Sequence, residues 1–287
     1  MRTHRLPLLV ASATALCALA LLSSTASGAT QRGSFDRPPY YDGKVKQTVR
    51  PAAHATVSYR LVEESLDPTP NRSPGLAAVL DSLREEMIRL GLTTALAVDP
   101  RLEGGPDIYF GARRGGVGAD GIPRSPDEVD PTEPRKMAFE VEGPSKAWKE
   151  ATRKAAGNSV RAIVTVQLGF GEHWIRQQDW KGNKAIGLGN GRSMPVTWLT
   201  SLDDPVQVLQ LTGALVTPEG KVLRVGAEGL IARRTGMAAS VAGAQEVLRE
   251  EELQALTAPG AGGEPVWRTA LRALMSGLLE ESRAALK

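Results

Sequence analysis

Residues 206–232, VQVLQLTGALVTPEGKVLRVGAEGLIA, decide the fold class. Two apolar runs, Val206–Val216 and Val222–Ala232, flank Thr217-Pro218-Glu219-Gly220-Lys221. Proline presets one turn position and glycine accepts a left-handed one, so the two runs close as a β-hairpin. Its apolar surface has to be buried against other elements.

Working outward from the hairpin, Val160, Ala162, Val164, Val166 and Leu168 alternate with Arg161, Thr165 and Gln167, and Ile163 is apolar on the second face. Period two over this length predicts a strand well inside a sheet. A second alternation, Ala55, Val57, Tyr59 and Leu61 against Thr56, Ser58 and Arg60, predicts another strand. Thr93–Val98, Asp107–Phe110 and Ala138–Val141 are short strand candidates.

The helices are written between these strands. Ser73 is suited to an N-cap, Pro74 to a first helical position and Gly91 to a left-handed stop. Leu76, Leu80, Leu83, Met87 and Leu90 form one stripe between them, while Asp81, Arg84, Glu85 and Arg89 point elsewhere. Further helices are expected over Ser145–Ala156, over Ala239–Leu256, and from Pro265 with Trp267, Leu271, Leu274 and Leu278 in its stripe. The expected architecture is α+β or α/β: a single mixed sheet with helices packed mainly on one face. Residues 53–287 would form this one domain, with long Gly/Pro-rich loops at 111–135 and 169–204.

The first 29 residues have another character. Arg2, His4 and Arg5 precede an uncharged run from Leu6 to Leu22, and small residues then fill Ser23 to Ala29. That order reads as a cleavable signal peptide, 1–29, ending on the small-x-small pair Ser27 and Ala29. A retained anchor is the competing reading, but a spanning helix takes about 20 apolar residues, and Pro7, Ser12 and Thr14 interrupt this run. The expected locality is extracytoplasmic, periplasmic or secreted, with no membrane span once the leader is removed. Residues 30–52, TQRGSFDRPPYYDGKVKQTVRPA, lack sustained periodicity and read as an extended polar arm.

Cleavage would remove Cys17, the only cysteine. Leu16 stands where a lipoprotein needs a small residue, so lipidation at Cys17 is disfavoured. The mature chain would then have no disulfide and no thiolate nucleophile. Without Arg2 and Arg5, the 35 basic residues become 33 against 32 acidic ones. Such a balance gives no reason to expect nucleic acid or an anionic membrane as a partner.

Catalytic and cofactor motifs were sought in turn. There is no HExxH, no G-x-S-x-G and no S-x-x-K. Gly116, Gly118 and Gly121 spell G-x-G-x-x-G, but Ile122-Pro123-Arg124-Ser125-Pro126 cannot continue as the helix a dinucleotide site needs. Gly187, Gly189 and Gly191 fail the same test, and the Lys-Ser/Thr of a phosphate loop is absent. Asp127, Glu128, Asp130 and Glu133 could offer oxygen ligands to calcium, yet their spacing fits no EF-hand. No cofactor, no metal and no catalytic residue is therefore assigned. One enzymatic alternative stays open: an extracytoplasmic hydrolase with His173 as base, Glu172 or Asp179 beside it, and sequence-distant partners.

The segment 169–204 offers a contact surface instead. It holds Trp174, Trp180 and Trp198 with Lys181, Lys184, Arg192 and Arg176 among them. Tryptophans and arginines are enriched in interfaces, and aromatic faces stack on sugars. Trp174, Trp180, Lys181, Lys184, Arg192 and Trp198 are the candidate binding residues, for an envelope protein or a cell-wall glycan. A subunit of a homo-oligomer is a third reading.

Element order and the late strands Leu211-Thr212-Gly213-Ala214-Leu215-Val216 and Lys221-Val222-Leu223-Arg224-Val225-Gly226 give a likeness. The chain resembles the loose group of bacterial envelope accessory proteins that includes the TolB N-terminal domain and the curli-secretion protein CsgG. The likeness spans about residues 53–286 and consists of element order alone. It implies a non-enzymatic binding or assembly role at the envelope and carries over no functional residue.

Overall fold

The computed structural model describes residues 30–35, 39–43, 53–57, 74–90, 104–112, 137–156, 160, 162–174, 177–178, 184–189, 192–195, 205–233, 250–259 and 263–279. In chain order the strands are β1 (Thr30–Phe35), β2 (Tyr40–Gly43), β3 (Ala53–Val57), β4 (Asp107–Ala112), β5 (Met137–Glu142), β6 (Ala162–Trp174), β7 (Gln177–Gln178), β8 (Lys184–Gly189), β9 (Arg192–Pro195), β10 (Pro205–Val216) and β11 (Val222–Arg233). The helices are α1 (Pro74–Arg89), α2 (Lys146–Ala156), α3 (Glu250–Thr257) and α4 (Val266–Leu279). The expected strand at Thr93–Val98, the acidic residues 127–133 and the G-x-G-x-x-G glycines lie outside the described residues.

The hairpin forms where the sequence places it. β10 and β11 pair antiparallel from Gln207↔Arg233 to Val216↔Val222. Thr217 N–H donates to the Lys221 carbonyl at 2.9 Å, and Gly220, at φ 85°, donates to the Thr217 carbonyl at 2.8 Å. β6 pairs along the whole of β10, and β3 lies parallel to β6. β2 closes the other edge, giving the order β2-β11-β10-β6-β3.

The expectation of a single mixed sheet with helices mainly on one face is wrong. The described strands make three sheets, and β3–β6 is the one parallel pairing among them. β1, β5 and β4 form a separate antiparallel sheet, and β7, β8 and β9 a third. Among the described residues, strand outweighs helix.

The physical reason lies in the polar residues of β6 and β10. Thr165, Gln167, Gln210 and Thr212 alternate with apolar neighbours, and all four are buried. Gln167, Gln210 and Thr212 are hydrogen-bonding studs for β4, whereas the Thr165 hydroxyl has no hydrogen-bond partner among the described residues. Gln167 accepts from the Ile108 N–H at 3.1 Å and donates to the Pro106 carbonyl at 2.7 Å. Gln210 donates to the Phe110 carbonyl at 2.7 Å, and Thr212 to the Ile108 carbonyl at 3.0 Å. Most buried polar groups are paired, and here side chains of one sheet pair the free backbone of another. The second sheet thus covers this face of the first.

Two cores result. On one side α1, α3 and α4 bury Leu83, Met87, Leu256, Leu271, Leu274 and Leu278 against Val164, Leu168, Leu211 and Leu215. On the other, Phe110, Phe139 and Val141 pack with Trp148 of α2 against Ile163, Ala214, Val216 and Val225. The α4 stripe of Trp267, Leu271, Leu274 and Leu278 is buried as its spacing requires. The α1 stripe differs at its end: Leu80, Leu83 and Met87 are buried, but Leu90 is exposed. Leu83→Ala should destabilise the chain by about 2 kcal/mol or more, the usual cost of truncating a buried leucine. A denaturant melt moving by under about 0.5 kcal/mol would show that α1 does not carry this core.

Residues 30–52, expected as an extended polar arm, include the two strands β1 and β2. β1 pairs with β5 from Thr30↔Val141, and β2 pairs with β11 from Tyr40↔Ala227 to Gly43↔Arg224. Adjacent residues of a strand face opposite sides. Tyr40 therefore enters the core beneath β4, while Tyr41 packs on the helical side. A two-sided plug leaves no one-faced periodicity to read.

Candidate partner-binding site

Parts of the segment 169–204, expected as a long loop, are strand. β6 continues to Trp174, and β7, β8 and β9 build an antiparallel platform from the residues that follow. β7 pairs with β8 at Gln177↔Ala185 and Gln178↔Lys184, and β8 pairs with β9 from Ala185↔Pro195 to Gly189↔Arg192. Ile186 and Leu188 are spaced by two and face the same way. They are buried with Val206, Val208 and Ala232 of the main hairpin, and Met194 packs beside them. A glycine-rich stretch that reads as too polar for a core thus supplies two core side chains. The glycines allow the close approach: Gly189 has φ 113°, and a Cβ there would stand 2.2 Å from Glu228 Oε2.

Glu228 is a buried carboxylate of β11. The Tyr41 hydroxyl lies 2.7 Å from its Oε1 and 3.0 Å from the Ala273 carbonyl of α4. The Tyr40 hydroxyl donates to the Gly187 carbonyl of β8 at 3.2 Å. Burial raises the Tyr40 phenol well above its ordinary range, and the Glu228 charge adds to the shift. That hydroxyl therefore stays protonated and remains a donor. The platform is held at two places: the apolar pair and the Tyr40 hydroxyl. Tyr40, Tyr41 and Glu228 were missed because sequence alone joins none of them to residues 184–189. The visible signals were a paired tyrosine in an otherwise polar arm and an acid inside an apolar hairpin.

The candidate binding residues fall at different places. Trp174 ends β6, Lys184 begins β8 and Arg192 begins β9. The register sets Lys184 and Arg192 at opposite ends of the β8–β9 ladder, since Arg192 pairs with Gly189. Trp180, Lys181 and Trp198 lie outside the described residues. Residues 179–183, which include Trp180 and Lys181, connect β7 to β8.

His173 sits in the second core and is 1% exposed. Its Nε2 is 2.9 Å from Gln210 Oε1, which makes Nε2 the protonated nitrogen, because an amide oxygen only accepts. Tyr40 and Phe110 meet the ring edge-on, with centroids 5.9 and 5.4 Å away. Burial pushes its pKa down to about 4, with the Gln210 hydrogen bond opposing. A general base has to reach the proton it takes. Among the described residues, the hydrogen-bonding partner of His173 is an amide, not a serine or a carboxylate. Glu172 stands beside it in the chain, with its N–H donating to the Tyr109 hydroxyl at 3.3 Å. Asp179 lies outside the described residues.

Among the described residues no three His, Cys, Asp or Glu side chains gather as a metal set, and no helix is long and apolar enough to cross a membrane. No protein-family model, curated protein or solved structure matches the chain.

Proposed function

We propose that the chain is an exported, non-enzymatic protein of the cell envelope, periplasmic or secreted, that binds an envelope protein or a cell-wall glycan. The segment from Trp174 to Trp198 carries the contact. The observation behind this reading is the seating of β7–β9 on the main hairpin through Ile186 and Leu188. Binding residues are commonly borne by connections on a rigid base, and residues 179–183, with Trp180 and Lys181, form such a connection. The likeness in element order to envelope accessory proteins agrees with an assembly role. The leader-like residues 1–29 agree with export.

Trp180→Ala should abolish recovery of the partner from an envelope extract while leaving the thermal melt of the chain within about 0.5 kcal/mol, the usual range for a surface change. A lowered melt with intact recovery would make Trp180 a structural plug and leave this reading without its central residue. Export is checked separately. N-terminal sequencing of the secreted or periplasmic form should begin near Thr30, and an intact Met1 on membrane-bound protein would overturn cleavage.

A further inference from the structure

One side of the helical layer carries an arrangement that packing does not require. Glu86 of α1 has a side chain only 2% exposed, and three arginines converge on it. Arg89 donates from Nε to Oε2 at 2.8 Å and from Nη2 to Oε1 at 2.5 Å. Arg272 of α4 donates from Nε to Oε1 at 2.8 Å and from Nη1 to Glu264 at 2.5 Å. Arg268 brings its Nε to 3.4 Å from Oε2. Burial alone would raise the Glu86 carboxyl, but the hydrogen bonds from Arg89 and Arg272 outweigh it and hold the pKa below the ordinary value.

One carboxylate needs one guanidinium. Among the described residues three guanidinium groups face the two carboxylates Glu86 and Glu264, one more positive charge than negative. Arg84 adds none, because it pairs with Asp81. Arg89 Nη1, Arg272 Nη2 and both terminal nitrogens of Arg268 have no hydrogen-bond partner among the described residues. The three side chains are 59%, 34% and 35% exposed for Arg89, Arg272 and Arg268. Beside Arg89 in the chain stand Ile88, 46% exposed, and Leu90, 41% exposed, the exposed large hydrophobic residues among those described.

We propose that this end of α1, with the adjoining face of α4, is a peripheral membrane contact for an anionic phospholipid. Arg89, Arg268 and Arg272 take the headgroup phosphate, and Ile88 and Leu90 enter the interface beside it. The chemistry fits on both counts. Arg268 keeps both terminal nitrogens for bidentate contact with phosphate oxygens, and Arg89 and Arg272 each add one terminal nitrogen. Glu86 holds the forks before the ligand arrives, so less side-chain freedom is lost on binding. Exposed apolar side chains next to basic ones gain from the headgroup boundary, where anionic lipid and apolar burial act together. A soluble anion would use the arginines but would leave Ile88 and Leu90 in water. This surface uses none of the residues of the β7–β9 platform, and its test does not involve Trp180.

The test is sedimentation of the exported form of the chain with vesicles. One set holds equal phosphatidylglycerol and phosphatidylcholine, and the other phosphatidylcholine alone. Binding should favour the anionic set by about tenfold or more and weaken as salt rises from roughly 0.1 to 0.5 M. Arg268→Gln should reduce it about fivefold. Ile88→Ser, at an exposed position, should also reduce it without moving the melt. Glycerol phosphate in solution should compete only weakly. Equal sedimentation with both vesicle sets, or none with either, overturns the proposal. Full competition by glycerol phosphate, with Ile88→Ser without effect, overturns the membrane and leaves a soluble phosphate ligand. If Arg268→Gln lowers the melt, the Ile88→Ser result decides alone.

Discussion

Tyr40→Ala should lower the stability of the chain by about 3–5 kcal/mol in a denaturant melt, the range for truncating a large buried aromatic side chain. Tyr40 is 2% exposed, its ring is 4.6 Å from Phe110 by centroid, and it meets the His173 edge. Alanine would leave a cavity where the two sheets meet, and Phe110 and His173 would lose a wall. It would also remove the hydroxyl bound to the Gly187 carbonyl of β8. Tyr40→Phe separates the two contributions, since it keeps the ring and should cost only about 1 kcal/mol, the net worth of one hydrogen bond. Its effect should concentrate in β8, seen as faster amide exchange at 185–189 with the β10–β11 hairpin unchanged. A loss below about 1 kcal/mol for Tyr40→Ala would show that residues 40–43 do not belong to the core.

Acidification from pH 6.5 to pH 4 should cost the folded state about 3 kcal/mol through His173, at 1.36 kcal/mol for each unit of displacement. The sign follows from burial. The folded pKa is about 4 against an ordinary 6.5, so the unfolded chain binds the proton first as pH falls. The stability is whole above pH 6.5, declines through the window and is lost near pH 4. Protonation would place a charge among Tyr40, Phe110 and Gln210 without a counter-ion among its described partners. His173→Gln should flatten this slope, and melts at several pH values for both chains measure the difference. An unchanged slope would mean that other groups carry it. Glu86 overlaps only the acid end of the window, since the ordinary carboxylate value is 4.5. Its folded pKa is lowered, so its contribution is present above the ordinary carboxylate value and lost only below it.

Much of the secondary structure was legible because it rests on short-range physics. The 217–221 turn, the β6 alternation, the α1 start at Pro74 and the α4 stripe each depend on residues within one element. The candidate site was less legible. Residues 184–189 read as loop because Gly187 and Gly189 lower the apolar density, although Ile186 and Leu188 hold the period of a strand. The hidden signal was that period, only three residues long.

By itself the sequence determined the hairpin, the β6 strand and the buried stripe of α4. Only the tertiary structure decided how many sheets there are and what covers them. Gln167, Gln210 and Thr212 are the reason. A polar residue in period two looks the same whether water or a second backbone satisfies it. The choice was made by β4, some sixty to a hundred residues away, whose unpaired carbonyls and N–H of Ile108 required those side chains. The Tyr40–Tyr41 pair is the same case: one edge strand serves two cores, and neither core is visible from residues 30–52. Hydrogen-bond satisfaction across sheets acts at long range, and no local pattern records it.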